Sequence, residues 1–374
     1  MSHARGVAPW SRRAFLAAVP IPLLAAEFDR RRVFPPEWGR YADPATEFEV
    51  ARLTDPQYSS LLPASYNRVI GRRNGFLLHT SDRAGGQQVF RLDLKTGESR
   101  QLTGASALDP ASVTLAGGDR TFCYFDGRVL RQVQLSNLRE RDVCEVSKDW
   151  ERTPGFSVSS DGQRGFFGES RRGKSRLRMV LLVSGRVTTV AEQDFVLTHP
   201  LPRPRRAQVV FRQGSEAFWI VPLTGGKPRQ MRTEPGELGP AIWAPSGQSL
   251  LYLHLPGPGK LNAIRESIPE ENRDRLVAPT SQYAHFGQNG DASVFAGASR
   301  NAASPHVLIL VRSVRREMTV CEHKSSDPAS VAPIFSPDSQ FIFFQSDVHG
   351  KPAIYRMNVD RLVEQTAEED GPEP

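Results

Sequence analysis

A short turn recurs along the chain at nearly constant spacing, and this repeat constrains the fold more than any other feature. The seven turns are Asn74-Gly75, Gly118-Asp119, Asp161-Gly162, Pro204-Arg205, Ser246-Gly247, Asn289-Gly290 and Asp338-Ser339. Successive turns are separated by 43, 44, 43, 42, 43 and 49 residues. A period of this length is typical of architectures in which each repeat is one supersecondary unit.

Each repeat contains several short apolar segments of strand length. In the fifth repeat, Ile242-Trp243 precedes the turn and residues 250–253 (Leu-Leu-Tyr-Leu) follow it; in the first, residues 89–94 and 100–103 flank a Thr-Gly turn. Four antiparallel strands per 40–45 residues is the signature of a propeller blade, whose faces are buried only when neighbouring blades stack around an axis. The sequence therefore predicts an all-β, seven-bladed β-propeller over residues 47–360.

The last repeat has no clear fourth strand of its own. Residues 48–54 (Phe-Glu-Val-Ala-Arg-Leu-Thr) resemble the outer strand at 100–103 (Arg-Gln-Leu-Thr). We therefore expect an N-terminal strand to complete the last blade and close the ring. Residues 27–46, rich in Arg, Pro and acidic residues, are predicted to be a linker, and residues 361–374 an acidic C-terminal tail.

The first 26 residues have the pattern of an export signal. Arg12-Arg13 is followed by Phe15-Leu16 and by a short apolar run that ends near Ala25-Ala26. This pattern is typical of twin-arginine (Tat) signal peptides, and the run is too short to span a bilayer as a mature helix. We expect a periplasmic or secreted protein with no membrane span once the signal is removed.

The charge balance favours a small anionic ligand over nucleic acid. The formal net charge of +7 is modest, and part of it belongs to the leader. Zinc-finger spacing and RNA-binding signatures are absent from the sequence, so we expect no nucleic-acid partner. A modest positive charge is compatible with an anionic small molecule.

The three cysteines do not form a disulfide framework. Cys123 and Cys144 fall in one repeat and could pair in an oxidising compartment. The other interpretation is that they are small buried hydrophobic residues.

Several stretches resemble the blades of oligogalacturonate lyases. They are residues 79–83 (His-Thr-Ser-Asp-Arg), 90–98, 283–285 (Tyr-Ala-His), 333–338 (Pro-Ile-Phe-Ser-Pro-Asp) and 344–347. The resemblance is distant and covers roughly residues 46–360. It implies β-elimination of short pectin fragments at a divalent metal, typically manganese, held by histidines and a glutamine at the mouths of blades six and seven. A metal or an arginine on the uronate carboxylate would stabilise the charge that develops when the neighbouring proton is removed.

The family's metal ligands carry over only in part. His285 matches the metal histidine of the sixth blade. In the seventh blade the family has a glutamine and two histidines, where this chain has residues 327–332 (Asp-Pro-Ala-Ser-Val-Ala). In the fifth blade Gly239-Pro240 stands where the family often has His-Glu. A single histidine does not hold Mn²⁺ well, so the manganese cofactor that the resemblance implies lacks most of its ligands in this sequence.

Four further residues are candidates for substrate binding. His199 begins an inner strand of blade four, and Arg212 stands where the family tends to have His-Glu-Gly. Arg68 and Arg83 are expected at the front of blade one, where cations could meet a carboxylate. Each of these positions is also compatible with a structural or solvated side chain.

Two functions remain open at this point. The first is an exported lyase that cleaves uronate-containing oligosaccharides. The second is a non-catalytic propeller that binds a sugar or a protein and has a degenerate metal site. The sequence contains no Gly-x-Ser-x-Gly motif, phosphate-binding glycine loop or dinucleotide fingerprint that would favour another chemistry.

Overall fold

Thirty strands make up the architecture of the chain in a computed structural model, which describes residues 32–360 and residue 362. Three strands precede the first repeat: β1 (Val33–Phe34), β2 (Gly39–Ala42) and β3 (Glu49–Arg52). A 3₁₀ turn, Pro110–Ser112, precedes the second repeat. The remaining strands follow the predicted repeat.

The first four blades each contain four consecutive antiparallel strands. They are β4 (Ser60–Leu61), β5 (Phe76–Ser81), β6 (Gln88–Asp93) and β7 (Ser99–Gln101) in blade one; β8 (Thr114–Ala116), β9 (Thr121–Asp126), β10 (Val129–Gln134) and β11 (Glu140–Glu145) in blade two; β12 (Glu151–Val158), β13 (Arg164–Arg171), β14 (Lys174–Leu181) and β15 (Val187–Gln193) in blade three; and β16 (Leu197–Pro202), β17 (Gln208–Gln213), β18 (Ala217–Pro222) and β19 (Arg229–Gln230) in blade four.

Blades five and six follow the same order, and blade seven takes part of its sheet from the N-terminus. The strands are β20 (Glu237–Trp243), β21 (Leu250–Leu255), β22 (Ala263–Ile268) and β23 (Arg273–Pro279) in blade five; β24 (Tyr283–Gln288), β25 (Val294–Ser299), β26 (His306–Val311) and β27 (Arg316–Glu322) in blade six; and β28 (Ile334–Phe335), β29 (Phe341–Ser346) and β30 (Ala353–Asn358) in blade seven. The seven-bladed propeller is confirmed.

The hydrophobic core lies between blades. One cluster joins Leu77 of blade one and Leu115 of blade two to Phe343 and Ile354 of blade seven, so apolar packing is continuous across the point of closure. Further clusters lie between successive blades around the ring. Each sheet is thus buried by its neighbours, as stacked repeats require.

The predicted closure is confirmed by the pairing of β3 with β30. Val50 lies opposite Met357 and Ala51 opposite Arg356 in an antiparallel register. Beyond this pair, the amide of Ile354 donates to the Thr54 hydroxyl at 3.0 Å. N-terminal β3 and three strands from the C-terminal end of the described chain therefore lie side by side in one sheet.

The prediction of a linker over residues 27–46 is corrected for its described part. β2 pairs with β3, and β1 pairs with β7, so blades seven and one each have five strands. The open edges of β3 and β7 offer unpaired backbone groups, and the preceding segment satisfies them. The predicted leader, residues 1–26, lies outside the described residues, as does the predicted tail apart from residue 362.

The described residues contain no helix that is long and apolar enough to cross a membrane. Cys123 is buried and Cys144 half-buried, and both thiols are free. Burial raises the pKa of each thiol to about 12, which fits the hydrophobic interpretation.

Candidate functional site

A cavity of about 780 Å³ opens where the inner strands of the propeller begin. Every blade contributes to its wall, from Ser65 and Tyr66 at the beginning of blade one to Gln345 in blade seven. Its volume lies within the range of small-molecule sites. His199, Arg212 and His285, three of the predicted site residues, all line it.

Bulges on the inner strands shape this cavity. In blades three to six the pairing of the first two strands is irregular near the mouth. The irregularities fall between Arg152 and Phe156, between Thr198 and Leu201, between Leu238 and Ala241, and between Tyr283 and His285. A bulge leaves a residue unpaired and re-aims its side chain, so the repeated bulge turns residues of four blades towards the axis.

His199 lies in the bulge of blade four and is held by close backbone packing. Its backbone is left-handed, with φ of 47°. A Cβ on Gly155, whose own φ is 96°, would lie 2.5 Å from the Cα of His199, so only glycine fits there. The ring meets Tyr66 edge-on, with 6.4 Å between centroids.

The imidazole of His199 is neutral, and no hydrogen bond to the described residues occupies its buried Nδ1. Burial, together with the charge of Arg212, lowers its pKa to about 4 from the ordinary 6.5. A neutral imidazole near neutral pH is able to accept a proton.

His285 of blade six is also neutral, because burial lowers its pKa to about 4. Its Nε2 lies 3.2 Å from the Ser65 hydroxyl. Its buried Nδ1 has no partner among the described residues. The hydroxyl fixes the ring, and no second imidazole or carboxylate contacts it in the described part of the chain.

Arg212 is anchored to the neighbouring blade. Its Nη1 donates to the Gly239 carbonyl at 2.9 Å, and its Nη2 donates to the Leu238 carbonyl. Its Nε donates to the Gly214 carbonyl at 3.3 Å. Three of the five guanidinium N–H groups therefore donate to backbone carbonyls, and two have no backbone partner among the described residues.

Arg68 and Arg83 do not reach this cavity, and their predicted position is corrected. The Arg68 guanidinium lies 2.7 Å from the Asp119 carboxylate and lines a separate cavity of about 360 Å³ further along the axis. Arg83 forms an ion pair with Glu37 and stacks on the Phe34 ring at 3.6 Å. Their acidic and aromatic partners come from the blade-two turn and from the N-terminal segment, which the repeat alone does not place.

Four charged residues and one tyrosine in the cavity wall were not predicted from the sequence. They are Tyr66, Asp109, Arg152, Glu237 and Arg300. Arg152 pairs with Asp109 at 2.5 Å. Burial raises the pKa of Tyr66, so its phenol stays protonated. A recurring signal was available, because Pro154-Gly155, His199-Pro200 and Gly239-Pro240 all lie at the pairing irregularity of an inner strand.

The residues present do not fit the manganese site implied by the resemblance. Among the described residues, no three His, Cys, Asp or Glu side chains are grouped so as to hold a metal. Ser330 and Ala332 line the cavity in blade seven. Asp327, the stand-in for the glutamine, instead caps its own turn by accepting from the Ala329 amide at 3.1 Å.

The neutral histidines make stability depend on pH. The pKa values of His79, His199 and His285 are each lowered to about 4. Between about pH 6.5 and about pH 4 the unfolded chain binds protons that the folded chain does not, so stability is lost as the pH falls through this range. We expect urea unfolding to show a lower free energy at about pH 5 than at about pH 7, and His79→Gln to reduce that difference. Equal stability of the wild type at both pH values would contradict these pKa values.

Fold and cavity together define a seven-bladed propeller with an arginine- and histidine-lined axial site. No protein-family profile matches the chain. It is 25% identical over 371 residues to the oligogalacturonate lyase of Dickeya dadantii (strain 3937), covering 85% of this chain and 95% of that one. It is 23% identical over 369 residues to the oligogalacturonide lyase of Pectobacterium atrosepticum, with the same coverage.

The comparison with solved structures also finds an oligogalacturonate lyase. An oligogalacturonate lyase in complex with manganese matches with a TM-score of 0.83 and 25% identity, over 88% of this chain and 98% of that one. The chain is a distant relative of the oligogalacturonate lyases.

Proposed function

We propose that the chain is a lyase that cleaves uronate-containing oligosaccharides by β-elimination in the axial cavity, without a manganese site of the family type. The observation that carries the proposal is that unprotonated His199 shares one cavity with the guanidinium groups of Arg152 and Arg212. A base and a cationic group beside a carboxylate are the two requirements of this chemistry.

The reaction would proceed as follows. A guanidinium neutralises the uronate carboxylate and stabilises the charge that builds up on it. The His199 imidazole removes the proton from the carbon next to the carboxylate, a carbon–carbon double bond forms, and the glycosidic oxygen leaves from the adjacent carbon. Tyr66, a protonated phenol beside His199, is the candidate donor of a proton to the leaving oxygen.

The charge of the arginines takes the place of a metal in this proposal. The related solved structure contains manganese. In this chain His285 has Ser65 as its hydrogen-bonding neighbour, and the seventh blade presents Ser330 and Ala332. Arginine carries a permanent charge and planar donors that match a carboxylate, so it is able to fulfil the electrostatic part of the metal's role.

The test is the formation of unsaturated uronate from digalacturonate by the purified protein, followed by ultraviolet absorbance. Cellobiose, which has no carboxylate, is the control substrate. The proposal predicts product only from the uronate. Absence of product from several uronate disaccharides, with or without Mn²⁺, would contradict it.

The alternative is a non-catalytic propeller that binds uronate oligosaccharides. The loss of the blade-seven histidines and of the blade-five His-Glu pair favours it. The two functions differ in outcome, because a binding protein would give heat on titration with digalacturonate and no unsaturated product.

We also propose that the protein acts in the periplasm or outside the cell. The twin arginines Arg12-Arg13 and the short apolar run that follows support export. Replacement of both arginines by lysine would then retain the protein in the cytoplasmic fraction, and unchanged export would contradict the route.

A further inference from the structure

Ser65 and His285 form a hydroxyl–imidazole pair in the wall of the axial cavity, and the proposed elimination uses neither side chain as base or acid. The Ser65 Oγ lies 3.2 Å from the His285 Nε2. Both residues line the cavity, so the pair is open to a ligand. A serine hydroxyl within hydrogen-bond reach of an imidazole is the arrangement by which proteins activate serine as a nucleophile.

The turn that carries Ser65 is held firmly by its neighbours. The Asn67 amide donates to the Ala64 carbonyl at 2.8 Å and closes the turn. The side-chain amide of Asn67 donates to the carbonyls of Ala111 and Phe156 at 3.1 and 3.0 Å. The scaffold therefore fixes the position of the hydroxyl relative to the cavity.

The same turn provides two backbone donors beside the hydroxyl. The amides of Ser65 and Tyr66 donate to no other group among the described residues. Successive N–H groups in a turn form a concave site for negative charge. Such donors stabilise the charge that develops on a carbonyl oxygen when its carbon is attacked. A nucleophile, a base and donors suited to acyl transfer therefore lie together on the cavity wall.

The backbone next to His285 favours the proton that the ring would receive. Burial lowers the pKa of His285, and the backbone of Phe286 partly opposes this effect. In the neutral ring with its proton on Nδ1, Nε2 accepts a hydrogen bond from the Ser65 hydroxyl. The Phe286 backbone thus takes the place of the third group that assists the base in other serine–histidine sites.

The charge of the cavity indicates which kind of ester fits it. Arg152, Arg212 and Arg300 line the same cavity. A ligand that pairs with these cations keeps its carboxylates ionised. An acyl group on a sugar hydroxyl leaves those charges intact, whereas an ester of a carboxylate removes one of them.

We propose that Ser65 and His285 hydrolyse an acyl ester on a hydroxyl of the sugar ligand. The sugar part of this substrate rests on the proposed function, and the ester chemistry does not. The Ser65 Oγ bonds to the ester carbonyl carbon as its proton moves to the His285 Nε2, and that proton passes to the sugar oxygen when the ester bond breaks. Water, deprotonated by Nε2, then attacks the acyl-serine, which releases the carboxylic acid, and the proton returns to the Ser65 oxygen.

The test uses p-nitrophenyl acetate, an acyl ester that contains no uronate. Release of p-nitrophenolate is followed by absorbance, and a serine-directed fluorophosphonate is located in the labelled protein by peptide mass spectrometry. The wild type should hydrolyse the ester above the buffer rate and carry the label on Ser65. Ser65→Ala and His285→Gln should each lower kcat/KM at least about 100-fold.

Ser330→Ala is the matched control for these variants. Ser330 lines the same cavity, but its hydroxyl donates to the Asp327 carbonyl at 2.7 Å and not to an imidazole. The control should keep kcat/KM for the ester within about threefold of wild type.

The outcomes distinguish this inference from the proposed function. More than about a third of the wild-type rate in Ser65→Ala, a label on another residue, or a wild type that neither hydrolyses the ester nor takes the label would overturn the serine–histidine pair. A wild type that hydrolyses p-nitrophenyl acetate but releases no acetate from acetylated digalacturonate would overturn the sugar ester. If the ester is hydrolysed through Ser65 and no uronate is cleaved, the proposed function fails and the serine–histidine chemistry stands.

Discussion

Replacing His199 by alanine is expected to lower kcat/KM for digalacturonate by at least about 100-fold, the effect of losing a positioned base. The ring is neutral, lies in the cavity and makes no hydrogen bond within the described chain that would compete for its nitrogens. Initial rates of unsaturated product would measure the change.

His306 offers a matched control for this substitution. It is half-buried at the beginning of β26 and lies outside the cavity wall. His306→Ala should keep kcat/KM within about threefold of wild type, because it contacts neither base nor ligand in the proposed mechanism. A His199→Ala protein with more than about a third of wild-type activity would exclude this ring as the base.

Removing the N-terminal strands is expected to have the largest effect on stability. A chain beginning at residue 55 loses β1, β2 and β3, and with them the buried side chains of Val50 and Leu53 and the ladder to β30. At about 1.5–3 kcal/mol for each buried aliphatic side chain plus lost backbone hydrogen bonds, we expect a fall in Tm of more than about 10 °C or failure to fold.

Two other truncations distinguish the stability that comes from ring closure by β3 from the stability that comes from β1 and β2 at the sheet edges. A chain beginning at residue 32 loses only residues outside the described part and should melt as the full chain does. A chain beginning at residue 48 loses β1 and β2 but keeps β3, and should fall between the two. Equal melting of the chains beginning at residues 32 and 55 would contradict closure by β3.

The architecture could be predicted from the sequence because turn residues and apolar strand segments repeat along it. Turn residues recur about every 43 positions and apolar pairs flank them, so the blade number follows from counting the repeats. Closure by residues 48–54 follows from their likeness to the outer strand at 100–103. The two strands within the predicted linker, β1 and β2, could not be predicted from the sequence. Val33–Phe34 is only two residues long and Gly39–Ala42 is not buried, so neither has the apolar alternation by which strands are recognised.

Three residues of the site could be predicted, two at the beginning of an inner strand and one, Arg212, at the end of a second strand. His199 and His285 lie at the beginning of inner strands, and both reach the cavity. Arg68 and Arg83 were misplaced because their ion-pair partners come from distant turns and from the N-terminal segment. Arg300 follows the second strand of blade six, but none of the stretches that resemble the family includes it, and its approach to the axis depends on how blade six packs in the ring.

The proposed mechanism carries out elimination in the cavity with arginine in place of the family's metal. Its most direct test is the rate of unsaturated product formation from digalacturonate by protein treated with chelator and dialysed, with the residual metal content measured. If arginine supplies the positive charge, the chelated protein should show the same rate as untreated protein and no increase on adding Mn²⁺. A chelated protein that makes no product, and regains activity with one equivalent of Mn²⁺ bound, would contradict it.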